Sequence, residues 1–422
     1  MELKNVEIKN FKGIENCFID LKPGINLLIG NNGYGKTSIL EALSVCLGGF
    51  IAGIGEIKTR HFTKDEIRII YENMGDGSYD KKYMTPVAVK CDAEIEKELF
   101  TWTRSKSSLN ASRSTVEPRD VCRKAFSMAN EGKHILPILS YQSCARVWMQ
   151  KREAAEDIFA GTFYRTVGYA GCLAEASNTK MMMNWVRRME KMEWKNKKTI
   201  REYQAVKHIL CRFMEIMSQE SGFILEYDDR SDCLIFEIGE KALPIENLSS
   251  GYQSLIWMVL DIAFRMAILN PDLYENISEV PGVILIDEID VHLHPKWQWN
   301  VLRALKETFP NVQFIVATHS PIVIASCKNE NLIAINREGE MDYFDTPYGL
   351  DVSETLDIFQ ESLPIAKEVS NLLREFYQLI DEEKLEKAED KLQELKLAVG
   401  DNNPKVVSAE TTLELEKMPL ED

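Results

Sequence analysis

The sequence predicts an α/β fold with a mixed or parallel sheet, flanking helices, an inserted helical subdomain and a C-terminal helical module. Three observations lead to this prediction. The strand-like run INLLIG enters the glycine-rich stretch GNNGYGKT, and the helix-like run KTSILEALSVCLG follows and is expected to end at its glycine. The short β-branched runs GVILIDE and VQFIVATH are typical of buried parallel strands. The stretch after residue 348 is amphipathic at helical spacing.

Composition limits the class of protein. The chain has 422 residues, enough for two or three domains, and its 45% of hydrophobic residues excludes a disordered class. A net charge of −16 argues against a general nucleic-acid coat, so any contact with a polyanion must use a local patch. The nine cysteines show no C-x-x-C pair, and no apolar run approaches the roughly 18 residues of a membrane span. We therefore expect a cytoplasmic protein with no membrane association.

The other segments change character along the chain. The runs VAVKCDAEI, LFTWTR and LPILSYQ predict strands, and FILEYDD with CLIFEIGEKALPI predicts a hairpin. Between Lys180 and Lys207 there are nine basic and three acidic residues at helical spacing. Two amphipathic helices, joined near Asp381, are predicted close to the C-terminus. We expect four parts: 1–150 and 223–347 as the two halves of the nucleotide-binding core, 151–222 as the basic helical subdomain, and 348–422 as a helical module for oligomerisation or partner binding.

The glycine loop is the first motif that indicates chemistry. Gly30, Gly35, Lys36 and Thr37 fit the pattern G-x-x-x-x-G-K-[ST]. Backbone N–H groups of such a loop, with the positive end of the following helix, bind a triphosphate. Lys36 would reach the β- and γ-phosphates and Thr37 would ligate Mg²⁺. The flanking strand and helix argue against a chance match. The predicted nucleotide-binding residues are Asn31, Asn32, Gly33, Gly35, Lys36, Thr37 and Ser38.

A pair of acidic residues supplies the second motif. In GVILIDEID, four apolar residues are followed by Asp287 and then Glu288. A carboxylate at a strand end can hold Mg²⁺, and its neighbour can polarise an attacking water. The alternative is an ordinary strand that ends in acidic surface residues, and the glycine loop earlier in the chain makes that alternative weaker.

A second helix start indicates an additional anion site. In NLSSGYQS, Ser249 and Gly251 lie where the apolar helix LIWMVLDIAFRMAIL begins, and a helix N-terminus attracts anions. The glycine loop already holds the nucleotide of the chain, so a second anion-binding helix start suggests a γ-phosphate presented by another subunit. An ordinary N-cap is the alternative, and this stretch alone does not exclude it.

The order of these motifs resembles the ABC-type ATPases of the SMC and RecF class, which carry a glycine loop, LSSGYQ, LIDE and then ATHSP. The opening IKNFKGIE is also similar to the first strand and turn of that class. The resemblance covers roughly residues 1–50, 136–150 and 245–340, and it implies that two heads enclose two ATP molecules. The roles it implies are signature contacts for Ser249 and Gly251, catalytic base for Glu288, dimer seam for Asp290, γ-phosphate switch for His319, and metal ligation for Gln142 with Thr37 and Asp287.

The subfamily can be narrowed. The segment between the glycine loop and the signature holds no sustained heptads, which argues against the SMC chromosome proteins. The stretches DEIDVHLHPKWQ, FPNVQFIVATHSP and RTVGYAGCLAEASN resemble the AAA family ATPases of bacterial anti-phage operons, namely the ATPase subunits of Septu and retron systems. This resemblance implies ATP and Mg²⁺ as cofactors, a homo-oligomer of heads, a separate HNH nuclease subunit (PtuB-like) as partner, and DNA reached through the complex.

Several alternatives stay open at this point. A RecF-like DNA-repair clamp is the second function considered, and a self-sufficient nuclease of the overcoming-lysogenization-defect type is a third. The third is disfavoured because the sequence after His319 is helical and has no strand-borne D-x-D. His292 and His294 form an H-x-H, for which packing or a dimer seam is favoured over metal ligation. The basic Met- and Trp-rich segment fits DNA phosphates or a solvated helix face. Slow hydrolysis, with ATP as a regulator, is also compatible with the motifs.

Overall fold

The structure is a computed structural model, and it describes residues 1–55, 57–75, 78–144, 164–175, 179–239, 241–336, 339–344, 347–360, 366–401 and 403–417. The chain divides into two compact units, Met1–Leu350 and Asp351–Asp422. The predicted four-part division stays a prediction, and its boundary at residue 151 lies outside the described residues.

The first unit contains both strands and helices, as the sequence predicts. The strands are β1 Glu2–Phe11, β2 Ile14–Asp20, β3 Ile25–Ile29, β4 Ile69–Asn73, β5 Tyr79–Tyr83, β6 Val87–Ile95, β7 Glu98–Lys106, β8 Thr115–Glu117, β9 Ile138–Gln142, β10 Phe223–Asp228, β11 Cys233–Ile238, β12 Lys241–Pro244, β13 Gly282–Ile286, β14 Val312–Ala317, β15 Asn331–Ile335 and β16 Met341–Phe344. The helices are α1 Lys36–Ile51, α2 Asp120–Asn130, α3 Thr179–Asn196, α4 Arg201–Ser218, α5 Ser250–Leu269, α6 Pro295–Gln298, α7 Val301–Thr308, α8 Pro321–Ala325, α9 Val352–Gln360, α10 Lys367–Asp381, α11 Leu385–Val399 and α12 Pro404–Lys417.

A six-stranded sheet forms the base of the candidate site. Its order is β16-β15-β3-β14-β13-β9, and every pair is parallel except β15 with β16. All residues of β3, β9, β13 and β14 are buried, which explains their near-continuous apolar sequences. The α/β class and the parallel pairing of the GVILIDE and VQFIVATH strands are confirmed. Because the carboxyl ends of parallel strands lie on one edge, β3, β9, β13 and β14 deliver their following residues to the same place.

Helix α1 lies between this sheet and an antiparallel sheet of order β2-β1-β6-β7-β8. It is buried on nearly all sides, as a helix that is apolar all round must be. The prediction that α1 ends at its first glycine is wrong, since the helix continues to Ile51. Gly48 and Gly49 allow neighbouring side chains to approach the helix backbone closely. A Cβ on Gly49 would lie 2.5 Å from Trp102 Nε1, and one on Gly48 would lie 2.8 Å from Thr59 Oγ1.

The segment that follows builds a helical hairpin and a small sheet. Helices α3 and α4 confirm the helical prediction for this segment, and α4 packs on α5, α7 and β10. The predicted hairpin is confirmed for β10 and β11, which pair from Phe223 with Ile238 to Asp228 with Cys233. The run predicted as its second arm also supplies a third antiparallel strand, β12.

Helix α5 is the one described helix that is long and apolar enough to cross a membrane by composition. About four-fifths of that apolar stretch, 78%, is buried inside the fold. It packs against α3, α4, β9 and the 3₁₀ turns Arg165–Tyr169 and Pro271–Glu279, and this burial accounts for its apolar sequence. We therefore assign it as a core helix.

The second unit contains α9 to α12. The junction predicted near Asp381 is confirmed, because α10 ends at that residue and α11 begins at Leu385. Helix α12 was not predicted, since its sequence has almost no amphipathic pattern. The apolar faces of α10, α11 and α12 form one core of their own. Its buried residues are Leu373, Phe376, Ile380, Ala388, Leu392, Leu395, Val406, Ala409 and Leu413.

Candidate nucleotide-binding site

The glycine loop connects β3 to α1 with a backbone that needs its glycines. Gly30, Gly33 and Gly35 have φ values of 142°, 86° and 97°, a region that side chains disfavour. A Cβ on Gly30 would also lie 2.7 Å from the carbonyl oxygen of Ile335. The loop is therefore tightly turned, and it opens directly onto the N-terminus of α1, where phosphate binding is favoured.

Lys36 points back into this loop. Its Nζ donates to the carbonyl oxygens of Gly30 at 2.7 Å and Asn31 at 3.1 Å, and lies 3.4 Å from His319 Nδ1. Only 6% of Lys36 is exposed. The side chain that would bind the β- and γ-phosphates is thus held by neutral backbone oxygens and is available to an anion that enters the loop.

Burial lowers the pKa of both Lys36 and His319. It lowers the pKa of Lys36 to about 8, although the carboxylates of Asp287, Glu288 and Asp290 act in the opposite direction. The pKa of His319 is lowered as well, first by burial and then by the Lys36 charge beside it. A group of negative charge entering the loop would favour the protonated form of both residues.

Thr37 links α1 to the end of β13. Its hydroxyl donates to both carboxylate oxygens of Asp287, at 3.0 and 3.2 Å. Asp287 is 1% exposed, and its backbone N–H donates to the carbonyl oxygen of Gln142 at 2.9 Å. A hydroxyl and a carboxylate side by side are the hard oxygen donors that Mg²⁺ prefers, so the residues present fit a nucleotide-bound Mg²⁺.

Glu288 and Asp290 follow on a constrained turn. Glu288 has φ of 48°, an uncommon value for a side chain other than glycine, and strained backbone of this kind concentrates at functional sites. The backbone N–H of Ile289 donates to Ala317 at the end of β14, at 3.2 Å, which anchors the turn to the sheet. The Thr318 hydroxyl donates to Asp290. Thr318 was missed by the sequence analysis, although it directly precedes His319.

Gln142 ends β9, the strand beside Asp287. Its side-chain nitrogen donates to Asp261 Oδ2 and to Ser140 Oγ, both at 2.9 Å. Asp261 in turn accepts from Arg265 Nε at 2.9 Å. Metal ligation by Gln142 stays a prediction; in this structure the amide nitrogen is engaged with α5.

Arg265 completes a buried network that the sequence analysis missed. Burial opposes its charge, but Asp261 more than offsets this and raises the pKa of Arg265. Its Nη1 donates to the carbonyl oxygens of Gly168 and Ala170, at 2.8 and 3.1 Å. The available signal was an acidic and a basic residue spaced i, i+4 within an otherwise apolar helix.

Ser249 lies at the start of α5 and is exposed. It occupies the N-cap position, but its side chain makes no capping hydrogen bond. The loop before it is instead held by Gln253, whose side-chain nitrogen donates to the carbonyl oxygens of Glu246 and Leu248. Ser249 therefore occupies the N-cap position as an exposed residue, without the side-chain hydrogen bond that an ordinary N-cap makes.

Gly251 lies against the turn that follows Glu288. A Cβ at this position would be 2.5 Å from the carbonyl oxygen of His292. His294 Nδ1 accepts from the backbone N–H of Lys296 at 3.2 Å and caps α6. His294 thus has a capping role, and the backbone of His292 packs against α5. No cluster of three or more potential metal-ligating side chains occurs within the described residues.

The structure assembles most of the predicted site on one sheet edge. Contacts join Lys36 to His319, and Thr37 to Asp287, while Asn32 and Gly33 are exposed in the loop. Ser38 lies half-buried in the first turn of α1. Across the described part of the chain, no hydrogen bond joins Ser249 or Gly251 to the glycine loop. The predicted contacts of Ser249 and Gly251, with a γ-phosphate presented by another subunit, stay a prediction.

Comparisons with known proteins agree with this geometry. A family model described as "AAA domain" matches residues 5–226, and a second, "AAA ATPase domain", matches residues 172–324. The chain is 27% identical to a retron Vc95 probable ATPase of Vibrio cholerae serotype O1 biovar El Tor, over 90% of this chain and 84% of that protein. It is 23% identical to a Septu protein PtuA of Bacillus thuringiensis, over 95% of both.

Among solved structures, an SmcHead bound to the C-winged helix domain of ScpA is similar to this chain. The identity is 17% and the TM-score 0.49, over 82% of this chain and 97% of that one.

Proposed function

The chain belongs to the AAA-domain family and is an ATPase, and from that premise we propose that it is the ATP-binding subunit of an anti-phage defence complex. Two copies close head to head around ATP, and this closure regulates a partner nuclease of the HNH type. The observation that supports the proposal is the state of Ser249: it is exposed at the N-terminus of α5, and its side chain makes no capping hydrogen bond.

The chemistry of the loop supports ATP as the nucleotide. Lys36 lies inside the loop and would bind the β- and γ-phosphates. Thr37 and Asp287 would hold the Mg²⁺, which supplies charge neutralisation between phosphate oxygens. Glu288 would accept the proton of the attacking water, and His319, beside Lys36, would contact the γ-phosphate.

The signature helix supports assembly from two copies. Ser249 is exposed and its hydroxyl makes no capping hydrogen bond. It lies at the N-terminus of a helix of 20 residues, which is the positive end of the helix dipole. A triphosphate carried by a second copy is an anion of the right charge for that position. Dimerisation on ATP follows, because the same phosphate would contact the loop of one copy and Ser249 of the other.

The proposal of a nuclease partner is supported by the relatives and by the second unit. The relatives that match most of this chain are a retron probable ATPase and a Septu protein PtuA. The HNH nuclease subunit is what the resemblance to the Septu ATPase subunits implies. Amphipathicity of α10 and α11 does not by itself require a partner, since their apolar faces bury against each other. Leu397 and Leu415 on this unit are nevertheless 89% and 61% exposed, so apolar side chains remain open to solvent there.

Co-purification tests this proposal. The full chain would be expressed with the products of its neighbouring genes, and the mass of the purified complex would be measured with and without ATP. An HNH protein that co-purifies, together with an ATP-dependent change in mass, supports the proposal. A chain that purifies alone and keeps the same mass with ATP contradicts it.

A further inference from the structure

Near the C-terminal end of helix α3, the acidic and the basic side chains lie on different faces. Glu190 accepts from the Tyr203 hydroxyl at 2.6 Å and from Lys207 Nζ at 2.9 Å. Glu193 accepts from the backbone N–H of Ile200 at 2.6 Å and from Gln204. Both acidic side chains of this stretch are therefore turned towards α4, and their hydrogen bonds join the two helices of the hairpin.

The opposite face is basic and exposed. Lys191 and Lys195 are four residues apart and project from the same side of the helix, and Lys197 and Lys198 follow at its end. Arg187 lies one turn earlier, but its charge is already paired with Asp232, at 2.5 and 2.7 Å. Four exposed lysines thus concentrate positive charge in a chain whose net charge is −16.

A tryptophan lies among these lysines and is almost fully exposed. Trp194 is 85% exposed, whereas Trp185, nine residues earlier on the same helix, is 2% exposed and packs edge-on against Tyr203 and Phe264. Trp185 anchors α3, so Trp194 is not required for packing. An exposed indole costs solubility, and its position between Lys191 and Lys195 suggests a ligand with both a flat face and negative charge.

We infer that this surface, the α3 tip (Lys191, Trp194, Lys195, Lys197 and Lys198), binds single-stranded nucleic acid. An unpaired base stacks on Trp194 while the lysines contact the phosphates on either side, which is the combination that single-strand binders use. A duplex keeps its bases stacked inside and would offer only phosphates, so it gains nothing from the indole. None of these five residues belongs to the glycine loop or to the turn that carries Glu288.

The test uses the full-length chain and fluorescently labelled oligothymidylate and oligouridylate of about 20 nucleotides, with a duplex of the same length for comparison. Fluorescence anisotropy over a range of salt concentrations gives affinity and salt dependence. We expect both single strands to bind more tightly than the duplex, and the ratio between oligothymidylate and oligouridylate separates a DNA ligand from an RNA ligand.

Variants separate stacking from charge. Trp194→Ala should weaken single-strand binding roughly 5- to 100-fold with the salt dependence unchanged, and Trp194→Phe should keep most of the affinity. Reversal of Lys191, Lys195 and Lys198 to Glu should weaken binding and make the slope of log K against log salt shallower by about 2. The matched control reverses three exposed lysines elsewhere, Lys90, Lys387 and Lys405, and should have little effect. Thermal unfolding of every variant verifies that it is folded.

Three results would overturn the inference. In the first, the wild-type chain binds no oligonucleotide at low salt. This result counts against the inference even if the chain binds poly-L-glutamate, because binding of an acidic polypeptide alone indicates a site for negative charge and not for nucleic acid. In the second, the Trp194→Ala variant and the triple-reversal variant both bind single strands as tightly as the wild type does. The third is tight duplex binding that the Trp194→Ala change does not alter.

Discussion

Gly251 and His292 meet backbone to backbone: a Cβ on Gly251 would lie 2.5 Å from the carbonyl oxygen of His292. This contact ties the start of α5 to the turn that carries Glu288 and Asp290. The exposed N-terminus of α5 and the acidic turn are therefore in direct contact. We expect a displacement of one of them to shift the other.

Gly251→Ala tests this contact. The added methyl group must push α5 away from His292, so we expect a loss of stability of about 1–3 kcal/mol and a weakened response to ATP. Denaturant unfolding gives the free energy, and the mass in solution with ATP gives the response. Gly55→Ala is the control, since no atom lies within 4 Å of a Cβ there. Equal behaviour of the two variants would show that the close approach has no consequence.

Glu288→Gln tests the assignment of the base. The amide cannot accept the proton of water, so we expect hydrolysis to fall about 10²- to 10⁴-fold while ATP binding is retained. Phosphate release and nucleotide binding are measured on the same preparation. Glu279→Gln, an exposed change before the other end of β13, should leave the rate unaltered. Wild-type turnover in Glu288→Gln would remove this residue from the catalytic role.

Lys36→Met tests the loop and its charge. Nucleotide binding should be lost, because no cation remains for the phosphates. The folded-state pKa of Lys36 is lowered to about 8 from a usual 10.5, so burying its charge costs stability below pH 8. That cost is relieved as pH rises from 8 towards 10.5, where the unfolded state binds more protons.

Without nucleotide, Lys36→Met should therefore unfold at a higher temperature than wild type at pH 7, with a difference that shrinks above pH 8. Wild-type affinity for ATP should fall above pH 8, since the neutral lysine must take up a proton on binding. Lys90→Met, at an exposed position, is the control. A pH-independent difference between Lys36→Met and wild type would contradict the buried charge.

Asp261→Asn tests the buried network behind Gln142. Arg265 is 2% exposed and would keep its charge without a carboxylate, so we expect a loss of stability of roughly 2–5 kcal/mol. Chemical denaturation measures it, and the exposed Asp272→Asn is the matched control. If both variants unfold at the same denaturant concentration, the ion pair contributes little.

Local sequence patterns predicted the part of the site that is continuous in the chain. The glycine loop, the Asp287–Glu288 pair and the strands that carry them follow from short motifs and periodicity. The end of α1 did not follow, because Gly49 packs against Trp102, a residue more than fifty positions later, and Gly48 packs against Thr59. The Asp290–Thr318 and Gln142–Asp261 contacts were equally hidden, since each joins residues brought together only by the sheet.

The composite nature of the site is the central claim, and mixing two inactive variants tests it most directly. Lys36→Met destroys the glycine loop of its own copy, and Ser249→Arg destroys the signature that serves the other copy. In a mixed dimer, one site combines an intact loop from Ser249→Arg with an intact signature from Lys36→Met. We expect each variant alone to hydrolyse no ATP and the mixture to recover activity. A mixture as inactive as its components, or full activity of Ser249→Arg alone, would contradict the account.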